Sequence, residues 1–340
     1  MSGPLSGITV LDLTQLLPGP LATRHLQDWG ARIIKIEPPG AGDGTRAMYR
    51  SPQDAAQGQP SFFFRELNDG KESLRIDLRS GQGRQQLLDL AADADVLIEG
   101  FRPGVMQRLG LGWEVLHAHN PRLVMAAITG YGQSGPYALK AGHDINYIAL
   151  SGVLDQIGLP DGGGPAVPNF QIADLLGGTL AAVSGLLAAL VGAQRSGQGR
   201  FVDISMTHEV WRHAVIARAE ARALGCVPAR GSSLLNGGAA CYGVYPCADG
   251  RHLALGALEP KFWQAFCEAV GRPDWTARHW SRGEAPGSEA AVQTRTEVAA
   301  LLRSRPLAEW VAIVDPADCC ATPVLRLNEV PDHPWIRTGH

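Results

Sequence analysis

The 340-residue chain predicts an α/β fold. A large domain built on a mostly parallel sheet, covered on both faces, precedes a smaller α+β domain. Three observations carry this expectation. Short apolar runs rich in β-branched residues alternate with stretches of helical periodicity through the first half of the chain. Glycine and proline punctuate the junctions between them. After about residue 225 the pattern changes to two short strands followed by helices.

The elements follow in order. Residues 8–13 read as a buried strand. Pro18-Gly19-Pro20 breaks the chain, and a helix covers 21–29, since a proline at a helix start gives up an N–H that would be unpaired there. Gly30 ends that helix, 32–36 is the next strand, 38–44 a loop and 74–78 a third strand. A helix over 85–94, a strand over 96–98, a helix over 105–118 closed by Asn120-Pro121, and a strand over 123–128 complete the alternation. From about Asp174 a long helix runs to the turn Ser196-Gly197-Gln198-Gly199. A strand over 201–205 and a helix over 207–224 come next. Strands over 242–245 and 252–255 flank Asp249-Gly250, a hairpin signal, and 261–270 and 289–302 are helical. The expected division is a large domain over 1–200, a linker helix over 201–224 and a small α+β domain over 225–315.

Composition narrows the function classes. Thirty basic against 33 acidic residues give a net charge of −3, and no Lys/Arg-rich run occurs, so nucleic acid is not an expected partner. The first ten residues lack the basic-then-apolar pattern of a secretory signal, and Arg337-Thr338-Gly339-His340 matches neither a peroxisomal nor an ER-retention address. Six cysteines without a C-x-x-C pair read as reduced thiols of a cytoplasmic protein with no zinc site. Residues 175–193 carry no charge, yet they hold Gly177, Gly178, Gly185 and Gly192, and Leu176, Leu180, Val183, Leu187 and Leu190 recur at steps of three and four. A buried helix with close neighbours explains this better than a membrane span.

Several motifs fail on spacing. Gly40, Gly42 and Gly44 miss the G-x-G-x-x-G pattern. His208 and His213 are five apart, about 140° around a helix, and cannot share a metal on one face. Gly132-Gln133-Ser134-Gly135 is not a nucleophile elbow.

Three residues remain with chemistry to offer. Asp174 opens the long helix, where the dipole favours the ionised form suited to a base or nucleophile, or to a plain cap. His143 precedes Asp144, which is placed to cap a short helix over 145–150. A neutral imidazole there can take a proton, or simply make one backbone bond in a loop. Glu259 opens a helix after the hairpin, as a cap or a solvent-facing group.

Four stretches raise the functional readings: 17–20 (Leu-Pro-Gly-Pro), 99–105 (Glu-Gly-Phe-Arg-Pro-Gly-Val), 142–147 (Gly-His-Asp-Ile-Asn-Tyr) and 173–178 (Ala-Asp-Leu-Leu-Gly-Gly). Together, over nearly the whole chain, they resemble the family III CoA-transferase superfamily, and 142–152 is similar to its α-methylacyl-CoA racemase branch. The resemblance implies a large Rossmann-like CoA-binding domain plus the small domain, a segment over 316–340 returning toward the large domain, and an interlocked homodimer. It implies that His143 and Asp174 flank the α-carbon of a 2-methylacyl-CoA thioester and exchange acid and base roles through an enolate. Backbone N–H at the Asp174 helix start would hold the thioester oxygen. Glu259 of the partner subunit would bond the histidine and fix its tautomer. No metal or organic cofactor is implied, since CoA enters as part of the substrate. For CoA, Arg108 and Arg102 are placed to meet phosphates, with Arg46, Tyr147 and Gly142 as further contacts. In the transferase branch the matching aspartate instead attacks acyl-CoA to give a mixed anhydride, and no histidine matches His143. A non-catalytic CoA-thioester binder is the third reading. The chain holds only five methionines, fewer than the Met-rich acyl surface the racemases use would require.

Overall fold

The computed structural model describes residues 3–159 and 163–337. The C-terminal residues 338–340, read above for targeting signals, lie outside them. Two compact units divide the chain: Met1–Ile157 with Val167–Val215, and Gly158–Ala166 with Ile216–His340.

The large unit carries six parallel strands: β1 (Thr9–Asp12), β2 (Arg32–Glu37), β3 (Glu72–Arg75), β4 (Val96–Glu99), β5 (Val124–Thr129) and β6 (Phe201–Ser205). Their order is β3-β2-β1-β4-β5-β6. The chain direction across the sheet reverses between β1 and β4, which pair with Leu11 opposite Leu97. In such sheets the crevice outside the carboxyl ends at the reversal is where ligands bind.

The central strands β1, β4 and β5 are largely apolar on both faces because both are covered, whereas the edge strand β3 is mostly exposed. On one face Val10, Ile33, Val96, Val124 and Ala126 pack with Leu26 of the helix Pro18–Asp28 and with Ala182, Val183 and Leu186 of the helix Ala181–Ser196. On the other, Leu11, Ile34, Leu97 and Met125 pack with Leu87 of the helix Gly81–Ala92 and Leu116 of the helix Trp113–His119. Neighbouring strand residues enter opposite cores, as the period of two demands. The helical run Ala173–Ser196 is long and apolar enough to cross a membrane by length and composition, and in this fold Ala189, Leu190 and Ala193 also join the sheet core.

The small unit holds an antiparallel sheet in the order β7-β8-β9, from β7 (Tyr242–Pro246), β8 (His252–Gly256) and β9 (Ala321–Pro323). Gly250, at φ +72°, makes the β7–β8 turn. Trp263, Phe266, Trp275 and Trp310 form its core.

Two helix expectations are corrected. The helix over 105–118 is two, Val105–Arg108 and Trp113–His119, because Gly110 at φ +72° stops the first. The helix over 207–224 breaks at Ala214, whose ψ of 49° is not helical, into Met206–His213 and Val215–Leu224. β6 is an edge strand of the large sheet, and the chain divides after Val215, inside the stretch 201–224 expected as a linker. Ala321–Pro323 supplies the third strand of the small sheet by pairing with β8.

Candidate active site

A cavity of about 380 Å³ opens at the sheet reversal. The turn after β1 supplies Thr14, Leu16, Pro18 and Gly19, and the turn after β4 supplies Gly100, Phe101, Arg102 and Pro103. His143, Tyr147 and Asp174 complete the wall with Met206. The three resemblance stretches of the large unit that follow the first therefore converge with it on one space.

Asp174 stands on an unusual element. Ala173–Leu180 is a π-helix that passes into the α-helix Ala181–Ser196. Such wide turns are frequent at functional sites. Its glycines explain the close packing. A Cβ on Gly177 would fall 2.6 Å from the Met206 carbonyl oxygen, and one on Gly178 would fall 2.6 Å from Pro18 Cβ. Thr179 Oγ1 donates to the Pro18 carbonyl at 2.7 Å, tying this element to the turn after β1.

The helix start is capped from elsewhere. Asp144 Oδ1 accepts the Ala173 N–H at 2.6 Å and the Asp174 N–H at 3.0 Å. This overturns three expectations. Asp144 does not cap its own helix, which runs Asp144–Leu150 with His143 at the cap position. The Asp174 N–H is already occupied and is not available to a thioester oxygen. The dipole does not leave Asp174 ionised either: burial, and then the Asp144 charge, push its carboxyl up to about 7.

His143 is exposed at the cavity wall, its backbone N–H donating to Asn146 Oδ1 at 3.0 Å. Tyr147, expected to touch CoA, is buried and committed within the protein, its hydroxyl donating to the Gly142 carbonyl at 2.5 Å. Burial and the Asp174 charge push its phenol up to about 12. Gly142 makes room for it, since a Cβ there would lie 2.6 Å from the Tyr147 ring; the position is a packing requirement.

Arg102 lines the cavity and is exposed. Arg108 is exposed at the end of the helix Val105–Arg108 but is not among the lining residues. Arg46, expected as a CoA contact, is engaged within the protein. Its guanidinium grips the buried Glu37 at 2.6 and 2.8 Å and sits 3.8 Å over the Phe64 ring. Burial alone would raise Glu37, but the Arg46 and Ser73 bonds hold its carboxyl at about 2. Glu259 lies in the small unit, exposed, at the cap position of the helix Pro260–Ala269, and its side chain makes no cap bond. Among the described residues no cluster of three or more His, Cys, Asp or Glu is arranged to hold a metal ion.

Sequence reading missed Glu99. It ends β4, is buried, and accepts the Phe101 N–H at 2.6 Å, shaping the turn that carries Arg102. Burial pushes its carboxyl up to about 7. The signal available was a carboxylate closing an otherwise apolar strand run.

The comparisons agree with this geometry. The family model for CoA-transferase family III matches residues 5–340. The chain is 37% identical to the alpha-methylacyl-CoA racemase of Homo sapiens over 331 residues, covering 97% of this chain and 80% of that protein. It is 34% identical over 337 residues to the acetyl-CoA:oxalate CoA-transferase of Acetobacter aceti, covering 98% and 83%. A solved CAIB/BAIF family protein from Brucella suis superposes with a TM-score of 0.84 at 28% identity, covering 99% of this chain and 88% of that one. Whole-chain coverage by the family model and by these relatives leaves one assignment: the protein belongs to CoA-transferase family III, the enzyme superfamily of CoA-transferases and acyl-CoA racemases.

Proposed function

We propose that the protein is an α-methylacyl-CoA racemase. The observation that carries the reading is the meeting of His143 and Asp174 in the lining of one cavity. Racemisation needs two groups that each take and return a proton, and a carboxyl titrating near 7 can do both at neutral pH. A transferase needs only the carboxylate, so the second proton carrier favours the racemase. In the proposed step one group removes the proton on Cα, the electron pair moves into the thioester carbonyl, and the other group delivers a proton to the opposite face. With the Asp174 N–H occupied, the donor proposed for the enolate oxygen is the Asp144 N–H, directly after His143, since the Asn146 and Tyr147 N–H groups donate to the His143 carbonyl. The thioester supplies the activation, and the scheme calls on no further cofactor. The reading retains the interlocked homodimer, and Glu259 acts in it by orienting the imidazole.

The transferase reading has its own support in the acetyl-CoA:oxalate CoA-transferase relative. In it Asp174 attacks the acyl-CoA, and the intermediate is trapped by hydroxylamine. Single-turnover exchange from each pure epimer separates the two. His143→Ala should slow one epimer at least about 100-fold more than the other, in the range of a lost general base. Equal residual rates together with trapping at Asp174 would favour the transferase.

A further inference from the structure

We infer that Asp144 is a positioning residue for Asp174: its carboxylate clamps the backbone that carries the reacting carboxyl and sets its own charge beside that carboxyl. The inference rests on the reading that Asp174 is catalytic. Its geometry is independent of that reading.

The clamp is a long-range contact. Asp144 lies 30 residues before Asp174, on another helix, yet one of its oxygens receives both first N–H groups of the π-helix. It directly follows His143, so one dipeptide carries the imidazole and holds the backbone of the carboxyl. Any shift of that dipeptide moves both reacting groups together, which suits a reaction whose two partners must keep a fixed separation across one carbon.

A cap alone does not require a charge. Asparagine, serine and threonine cap helices as well as aspartate does. At this position the negative charge opposes a second negative charge on Asp174, and after burial it is the other cause of that carboxyl's raised proton affinity. Charged and titratable groups facing Asp174 are few. From the helix Asp144–Leu150 they are Asp144 and Tyr147, with His143 at its cap, and from the remaining cavity wall Arg102 and Lys140. The helix Met206–His213 presents Met206 there, and the helix Pro18–Asp28 presents Pro18 and Gly19, none of them titratable.

The test compares Asp144→Asn, which keeps an acceptor oxygen without the charge, with Asp144→Ala, which removes both. The carboxyl carbon of Asp174 is titrated by NMR in protein labelled with 13C-aspartate, its resonance assigned by its loss in Asp174→Asn. In Asp144→Asn the midpoint should fall by about one pH unit, and the pH limb of epimer exchange should move with it. Plateau exchange should stay within about tenfold in Asp144→Asn and fall at least about 100-fold in Asp144→Ala. An unmoved Asp174 midpoint in Asp144→Asn, or equal losses in both variants with no shift, would overturn the inference. If Asp144→Ala does not fold, the Asn variant decides alone. A shifted midpoint in a protein whose wild type neither exchanges nor racemises would uphold the positioning and reject the racemase.

Discussion

Asp12 and Asp174 belong to the same unit, and burial pushes both toward the protonated form. Asp12, the last residue of β1, is fully enclosed. Lys71 Nζ lies 3.2 Å from its Oδ2, the Thr23 hydroxyl donates to that oxygen at 2.6 Å, and the Thr14 N–H donates to Oδ1 at 2.9 Å. Burial is overcome there by the charges of Lys35 and Lys71, which hold the carboxyl well below the usual carboxylate range. The neighbouring Glu37–Arg46 pair repeats the pattern, and Lys35 also pairs with the buried Asp43. Asp174 has no such cation, faces Asp144, and is pushed up to about 7. The same side chain therefore does opposite work. With a buried cation it is a permanent ion that braces the turn lining the cavity; without one it is a group able to gain and lose a proton. Arg46, which the sequence suggested for CoA, lies on the bracing side of this divide.

Four measurements would break or sharpen the contrast. The largest effect should come from Asp174→Asn, which should lower exchange by about 10³-fold or more, as expected for loss of an acid–base group. The same variant should be more stable at alkaline pH. Asp174 has a folded pKa above its unfolded value, so its contribution is fully present below the unfolded pKa of 3.8 and is lost as pH rises through about 7. At pH 8 the wild type should lie about 2 kcal/mol below the variant in urea unfolding, and the gap should close by pH 4. A constant gap across that range would detach the raised proton affinity from folding.

Lys71→Met should cost about 3–5 kcal/mol, because it strips Asp12 of a buried partner, with kcat and KM of the surviving folded enzyme little changed. Arg46→Met should cost about 1–3 kcal/mol by leaving Glu37 without its guanidinium, with KM for acyl-CoA unaltered; a tenfold rise in KM would return Arg46 to the substrate. Arg102→Ala, on the cavity wall, should raise KM for acyl-CoA about tenfold at constant kcat and leave stability within about 0.5 kcal/mol.

The parallel sheet was legible because most of its strands are written as apolar runs, and all six start within two residues of where the sequence places them. The close packing around Gly177 and Gly178 was legible from small residues in an uncharged helix. What stayed hidden depends on contacts distant in sequence. Asp144 reads as a local cap, and nothing nearby in sequence points to Ala173 and Asp174 as its acceptor's partners. Arg46 and Glu37 are nine apart with a glycine-rich loop between them, so the ion pair exists only once that loop folds back. β9 is three residues ending in Pro323, too short for an alternating pattern, and becomes a strand only by pairing with β8. The π-helix has no signature of its own in the sequence and shows only in the backbone.

The most direct test places the protein in heavy water with one pure epimer of a 2-methylacyl-CoA and follows Cα. Deuterium entering at that carbon, with the epimers approaching an equal mixture, is the predicted result. Retained protium and retained configuration, with CoA passing instead to an added carboxylate, would contradict the account.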